Sequence, residues 1–447
     1  MLNVEENTFN QLTDRLLSSL ISSLKNHEYV TISLNCERSQ FTRFNHGKVR
    51  QSGLVNDGSI TISLIDQSRE AYSTFAFTGN LDIDLELALE NLNYLRSQVP
   101  QLPVNPFIVL PEVGDSSREV YQGQILGSDR SLESILEPVG DLDFTGLYAA
   151  GKIMRGLCNS AGQKHWFATD TFAVDYSIFT SSDRAVKGIY AGQDWNQSEY
   201  DLQINQSRRQ IAALDLPTKT IPRGEYRVYF APSATADLMG MLTGTVGAAS
   251  LQQGSSALLK LQTGEKSLSS LLTLKENFQN GTVPRFNEMG VIAPEELIVI
   301  SAGKLINPLV SAKTAKEYNL IANGASNGEY MRSPVIESGT LTQSEILAQL
   351  GTGLYLSNLH YLNWSDRSNG RVTGMTRYAC FWVEAGEIVA PIENLRFDDS
   401  IYDFLNQDLE AFTDFQEFIP NTDTYGSRSL GGTLTPGMLI KNFTFTL

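Results

Sequence analysis

Hydrophobic residues in the opening segment recur at helical spacing. Phe9, Leu12, Leu16, Leu20 and Leu24 share one face, and Glu5 and Glu6 sit where a helix N-terminus favours negative charge. The spacing predicts an amphipathic helix ending near Asn26. The period then falls to two. Val30, Ile32, Leu34 and Cys36 alternate with Thr31, Ser33 and Asn35, and Ile60, Ile62 and Leu64 alternate with Thr61 and Ser63. With residues 70–77 these read as antiparallel strands joined by turns at 45–47 and 56–58. A second helix is expected after Asn80, with Leu85, Leu89 and Leu92 on one face. Helix, meander and helix make a helix-backed antiparallel sheet, hence an α+β fold.

Residues 99–128 are punctuated by Pro and Gly and read as loop, whereas Asp143–Asn159, rich in Gly and Ala, reads as a close-packing helix. Phe172, Val174, Tyr176 and Ile178 alternate with Ala173, Asp175 and Ser177, and further strands are expected at 185–191 and 200–211. The segment LDLPTKTIPRG, with Pro217 and Pro222, is the best linker candidate. It divides the chain into an N-terminal α+β domain, 1–220, and a β-rich C-terminal domain, 221–447, as a length of 447 residues favours. Residues 228–261 read as a strand, a helix entry and a small-residue helix. Residues 375–383 and Glu387–Pro391 read as a hairpin turned at Ala385 and Gly386, and 443–447 as a half-buried strand.

Composition narrows the function classes. The hydrophobic fraction of 41% supports real cores, and 19% charged residues argue against a largely disordered chain. A formal charge of −16 argues against a nucleic-acid surface, which needs clustered Lys and Arg. No run of apolar residues is long enough to span a membrane, and residues 1–15 are acidic, so neither a membrane span nor a secretory signal is expected. Cys36, Cys158 and Cys380 form no Cys-x-x-Cys, and a reducing cytoplasm is the expected home.

The chemistry-bearing motifs are sparse. The four histidines, His27, His46, His165 and His360, include no pair within a helical turn, so no helix offers a paired-His zinc site. Gly324-Ala325-Ser326-Asn327-Gly328 has the spacing of a nucleophile elbow. It is preceded by KEYNLIAN, which reads as helical rather than as an apolar strand, so a loop is expected, and only His360 follows as a base. Gly264-Glu265-Lys266-Ser267 lacks the earlier glycine of a phosphate loop. Cys380, bracketed by Tyr378, Phe381 and Trp382, reads as a packed thiol rather than a nucleophile. Arg367, Arg371, Arg377 and Asp366 place charges at the hairpin rim, where surface ion pairs are the plain reading.

Several segments together, in order and spacing, resemble the TldD/PmbA family. They are ERSQFTRFNHGKVRQSG, APSATADLM…GSSALL, Gly-Thr-Leu at 339–341, GLYLSNLHYLN, WVEAGEIVAPI and the closing IPNTDTYGSRSLGGTLTPGMLIKNFTF. The resemblance implies an N-terminal α/β-type domain, a β-rich C-terminal domain and two subunit classes that pair as a heterodimer. In the TldD class a His-Glu-x-x-x-His helix and a late Cys hold zinc. Here the two His positions fall on Gly240 and Thr245, the Glu on Met241, and the Cys close to Tyr425. The resemblance therefore implies a PmbA (TldE)-like chain that itself binds no cofactor and shapes the chamber of a zinc-bearing TldD-like partner. Such a pair would act on unfolded or precursor peptides, bound here by strand addition. Gly244, Arg367 and Arg377 are the expected peptide-binding residues. The alternatives are a stand-alone hydrolase using Ser326 or Cys380, and a homodimeric peptide-binding scaffold.

Overall fold

The computed structural model describes residues 6–25, 27–127 and 129–447. Glu5 and Asn26, and the side chains of Glu6, Phe9 and Leu12, lie outside the described residues. The first helix, α1 (Glu6–Ser23), forms as its spacing predicts, with Leu16 and Leu20 buried. Three antiparallel strands follow, β1 (Glu28–Asn45), β2 (Lys48–Asp66) and β3 (Arg69–Ala76). The β1–β2 turn places His46 and Gly47 at positive φ, the primed geometry that suits a twisted hairpin. The turn expected at 56–58 does not form: these residues lie inside β2, paired with 36–38, and the chain reverses at Gln67 and Ser68 instead. Helix α2 (Leu81–Gln98) starts at Asn80, whose side chain accepts from the amides of Asp82 and Ile83.

The sheet is completed by β4 (Ser117–Tyr121), β5 (Asp143–Asn159), β6 (Lys164–Phe179) and β7 (Ala185–Gly192). Its order is β3-β2-β1-β5-β6-β4, with β7 also on β6. Two expectations are corrected here. Asp143–Asn159 is a strand, not a helix, and it pairs with β1 and β6 along nearly its whole length. It is buried on both faces, so the period-two signal is absent and its small residues mimic a packing helix. Gly151, at φ 150, lets β1 approach so closely that a Cβ there would meet the Arg38 carbonyl. Conversely, 200–211 is not a strand but part of helix α4 (Gln197–Leu214), which buries Tyr200, Ile204, Ser207 and Leu214 at helical spacing. The loop expected at 99–128 also contains the short strand β4.

One face of this sheet carries the helices. Val30, Ile32, Leu34, Ile60, Ile62 and Leu64 pack beneath α1 and α2, while Phe44, Phe144, Phe172 and Tyr176 pack beneath α4. The opposite face carries Leu157 and Phe167, which pack on Phe286 and Leu430 from the C-terminal half.

Residues from 224 onward build two further sheets. Strands β8 (Gly224–Phe230), β9 (Leu274–Asn277), β10 (Glu296–Ser301), β11 (Lys304–Leu305) and β12 (Pro334–Ile336) come first. They are followed by β13 (Gly353–Leu356), β14 (Asn358–Asp366), β15 (Arg371–Arg377), β16 (Phe381–Glu384), β17 (Glu387–Pro391) and β18 (Arg396–Ser400). The last are β19 (Leu409–Phe412), β20 (Glu417–Pro420), β21 (Gly432–Thr435) and β22 (Met438–Phe445). The larger sheet runs β14-β15-β18-β22-β8-β13-β16-β17, with β19 on β22, and the smaller runs β11-β10-β9-β12-β21-β20. Helix α5 (Pro232–Thr243) follows β8, and its Ala234, Leu238, Met239 and Leu242 join the core that links the two sheets. The strand expected at 375–383 is broken. Tyr378 turns at φ 64, so β15 and β16 pair with different neighbours, while the hairpin turn at Ala385 and Gly386 forms as expected. Among the described residues, no helix is long and apolar enough to cross a membrane.

Candidate functional site

Helix α5 leaves the centre of the nine-stranded sheet, and its sequence decides what chemistry it can present. Gly240 lies on its exposed face, where an added Cβ would meet nothing within 4 Å. Met241 is half-buried against the core. The helix stops at Thr243. The hydroxyls of Thr243 and Thr245 donate back to the carbonyls of Gly240 and Leu242 at 3.2 and 3.0 Å, and Gly244 caps the end. Thr245 is therefore off the helix and buried, with its hydroxyl engaged inward. These residues do not fit a zinc ion: Gly240 offers no side-chain ligand, Met241 a thioether packed against the core, and Thr245 a buried neutral hydroxyl off the helix.

Strands β20 and β21 pack against α5, and the loop between them, 421–431, carries Tyr425. The elements that would build a helix-plus-loop metal site are thus neighbours, but Tyr425 is 97% exposed. The loop is held by Arg428. Its guanidinium donates to Ser39 Oγ, to Gly151 O, and to Thr171 O and Oγ1 on the N-terminal sheet, the last at 2.7 Å. Loss of water around the guanidinium pulls its pKa down to about 10, against the opposing charge of Glu37.

The histidines are dispersed in space as in sequence. His27 faces Asp66, His46 faces Asp143, and His165 bonds Ser117 and stacks on Phe286. His360 bonds the Arg377 guanidinium through Nδ1 at 2.9 Å and lies against Tyr361, and burial followed by the Arg377 charge pushes its pKa down. Among the described residues, no three His, Cys, Asp or Glu side chains are grouped to hold a metal.

The remaining candidates separate clearly. Arg371 pairs with Asp398, but Arg367 and Arg377 make no ion pair among the described residues; Arg377 instead stacks on Tyr378. Ser326 sits in a loop after the short helix Ala312–Tyr318, with no strand leading into it, and its buried hydroxyl has no partner. The Cys380 thiol donates to Arg377 O and is pushed up to about 11 by burial, so it is protonated near neutrality.

What the sequence did not disclose is a cleft of about 480 Å³ between α4 and β7 on one side and β8, β13, β17 and β20 on the other. The start of α5, at Pro232 and Ser233, opens into it. Polar groups dominate the α4 wall, with Gln203, Gln206 and Gln210, whereas Ile346, Leu347, Ile388 and Phe415 supply apolar surface. Two carboxyls stand out nearby. Asp237 on α5 accepts from Leu359 N at 3.1 Å and is raised to about 6 by loss of water, although it remains solvent-accessible. Glu417 on β20 lines the cleft and is raised to about 7 by the protein crowded around it, although it too remains solvent-accessible. Neither carries a sequence signal, because their crowding comes from strands distant along the chain.

The family model described as the PmbA/TldA metallopeptidase C-terminal domain matches residues 223–447. The chain belongs to the PmbA/TldD metallopeptidase family. Three solved structures share the fold across nearly the whole length. TldE from Thermococcus kodakarensis is 14% identical, with 98% of this chain and 100% of that one covered and a TM-score of 0.80. A candidate modulator of DNA gyrase from Thermotoga maritima MSB8 is 19% identical, with 98% and 100% covered and a TM-score of 0.77. Another from Bacteroides thetaiotaomicron VPI-5482 is 14% identical, with 99% of each chain covered and a TM-score of 0.78. No curated protein matches the chain.

Proposed function

We propose that this chain is the non-catalytic subunit of a TldD/TldE-type zinc peptidase complex, working in the cytoplasm on unfolded or precursor peptides. The observation that carries this reading is the end of α5. Where a zinc helix needs two imidazoles and a carboxylate on one continuous face, this chain has Gly240, Met241 and an off-helix, inward-bonded Thr245. Zinc and its activated water would then reside in a TldD-like partner, and this chain would form part of the chamber wall. The two-part division at 1–220 and 221–447 belongs to the same reading, with the cleft between α4 and the nine-stranded sheet as the peptide-facing surface.

A stand-alone hydrolase is less well supported, since Ser326 has no base beside its hydroxyl and Cys380 is held as a buried thiol. Purified alone, the chain is expected to bind no stoichiometric zinc by elemental analysis and to leave an unfolded peptide intact. Co-purified with a His-Glu-x-x-x-His relative from the same genome, it should form a heterodimer that cleaves that peptide. Zinc at one equivalent with hydrolysis by the lone chain would overturn the proposal, as would isolation solely as a homodimer in the presence of that relative.

A further inference from the structure

The cleft beside α4 holds a carboxyl group, ionised above about pH 7, without a counter-charge. Among the described residues, Glu417 makes no ion pair and no hydrogen bond, although it lines a concave space bounded on several sides by protein. Lys187 lines the same cleft but is paired with Asp175, and Arg209, on the exposed side of α4, is not close enough to perturb Glu417. A second acceptor faces the same space. Asn358, 9% exposed, has an Oδ1 with no donor, and a buried acceptor left unsatisfied is unfavourable. Tyr229 and Tyr355, with ring centroids 5.3 Å apart, form an adjoining aromatic wall, and the charge of Glu417 bears on both hydroxyls.

Two acceptors without a protein partner, one a carboxylate, beside aromatic rings specify a ligand that is positively charged, rich in N–H donors and able to lie on a π face. We propose that this cleft binds the cationic side chain of a basic residue, the guanidinium of arginine or the ammonium of lysine, within an extended peptide, with Glu417 as counter-charge and Asn358 Oδ1 as second acceptor. A volume of about 480 Å³ accommodates such a side chain with its flanking backbone. This inference rests on the peptide-binding reading above and adds a side-chain preference to it.

The test uses the full chain and fluorescein-labelled Gly/Ser nonapeptides carrying a central arginine, or citrulline as its neutral isostere, read by fluorescence anisotropy. The arginine peptide is expected to bind at least tenfold tighter than the citrulline peptide. Glu417→Gln should reduce that preference to within twofold. Because Glu417 is exposed on β20, the variant should keep the wild-type melting profile, which is checked alongside. Equal binding of the two peptides by the wild-type chain, or a preference that survives in Glu417→Gln, would overturn the cationic site and leave peptide binding standing. If neither peptide binds, the peptide-binding reading fails and the inference falls with it.

Discussion

Replacing Arg428 by methionine removes the group that fastens the 421–431 loop to the N-terminal sheet while keeping most of its bulk. The guanidinium makes four hydrogen bonds, to Ser39, Gly151 and twice to Thr171, each between 2.7 and 3.3 Å. Bonds of this charged kind contribute about 1.5 kcal/mol or more each, so their loss costs on the order of 6 kcal/mol. Against this, the strain of holding a cation away from water, visible as a pKa pulled down to about 10, returns about 3 kcal/mol when the charge is deleted. The net expectation is a local destabilisation of about 2–3 kcal/mol. Amide exchange of the peptide spanning 421–431 follows that local opening, so its protection should fall by about 30- to 150-fold. The amides of Arg428 and Ser429, bonded to Glu37 and Asp423, are the most direct reporters. Arg428→Lys should fall between the two, because an ammonium cannot reproduce the fork. Exchange within about threefold of wild type in Arg428→Met would refute the claim that this side chain joins the loop to the sheet.

Rebuilding the motif through Gly240→His, Met241→Glu and Thr245→His should not create a stoichiometric zinc site, since α5 ends at Thr243. The change at buried Thr245 should cost about 1–3 kcal/mol in urea unfolding. Zinc at one equivalent by elemental analysis, with unchanged stability, would contradict the role assigned to the helix end. Cys380, with its thiol raised to about 11, should have a thiolate fraction near 10⁻³ at pH 8. Iodoacetamide should therefore modify it only after denaturation, as peptide mass spectrometry would show, and rapid native labelling would count against a buried thiol. Asp237, raised to about 6 in the folded chain above its ordinary 3.8, binds its proton more tightly folded than unfolded. Its ionisation therefore weakens the fold progressively as pH rises from about 4 to 6. Asp237→Asn should gain urea-unfolding stability relative to wild type across that window, and a difference independent of pH would show that the carboxyl titrates normally.

Elements whose burial is one-sided were legible in the sequence. The alternation of Val30, Ile32 and Leu34 and the Asn80 cap each report a local choice that the fold did not override. Elements buried on two sides were not. Asp143–Asn159 lies between β1 and β6 with helices on one face and C-terminal residues on the other, so its polar residues do not alternate and its Gly and Ala invite the wrong period. Helix α4 misled in the opposite way: Leu202, 63% exposed, supplied a false alternation with Tyr200 and Ile204. The candidate site divided along the same line. That positions 240, 241 and 245 lack zinc donors was written in the residue types, whereas the helix end that also separates 240 from 245 became visible only with α5 in place.

Side-chain identity by itself determined what positions 240, 241 and 245 can offer a metal, because no packing can give glycine a side-chain ligand. Tertiary structure alone decided where charge is left unmatched. Tyr229, the Tyr355–Asn358 stretch and Glu417 come from three separate parts of the chain, and only the packing of α4 against the nine-stranded sheet brings them to one cleft. Electrostatic environment depends on distance in space and on excluded solvent, and neither quantity is carried by sequence separation.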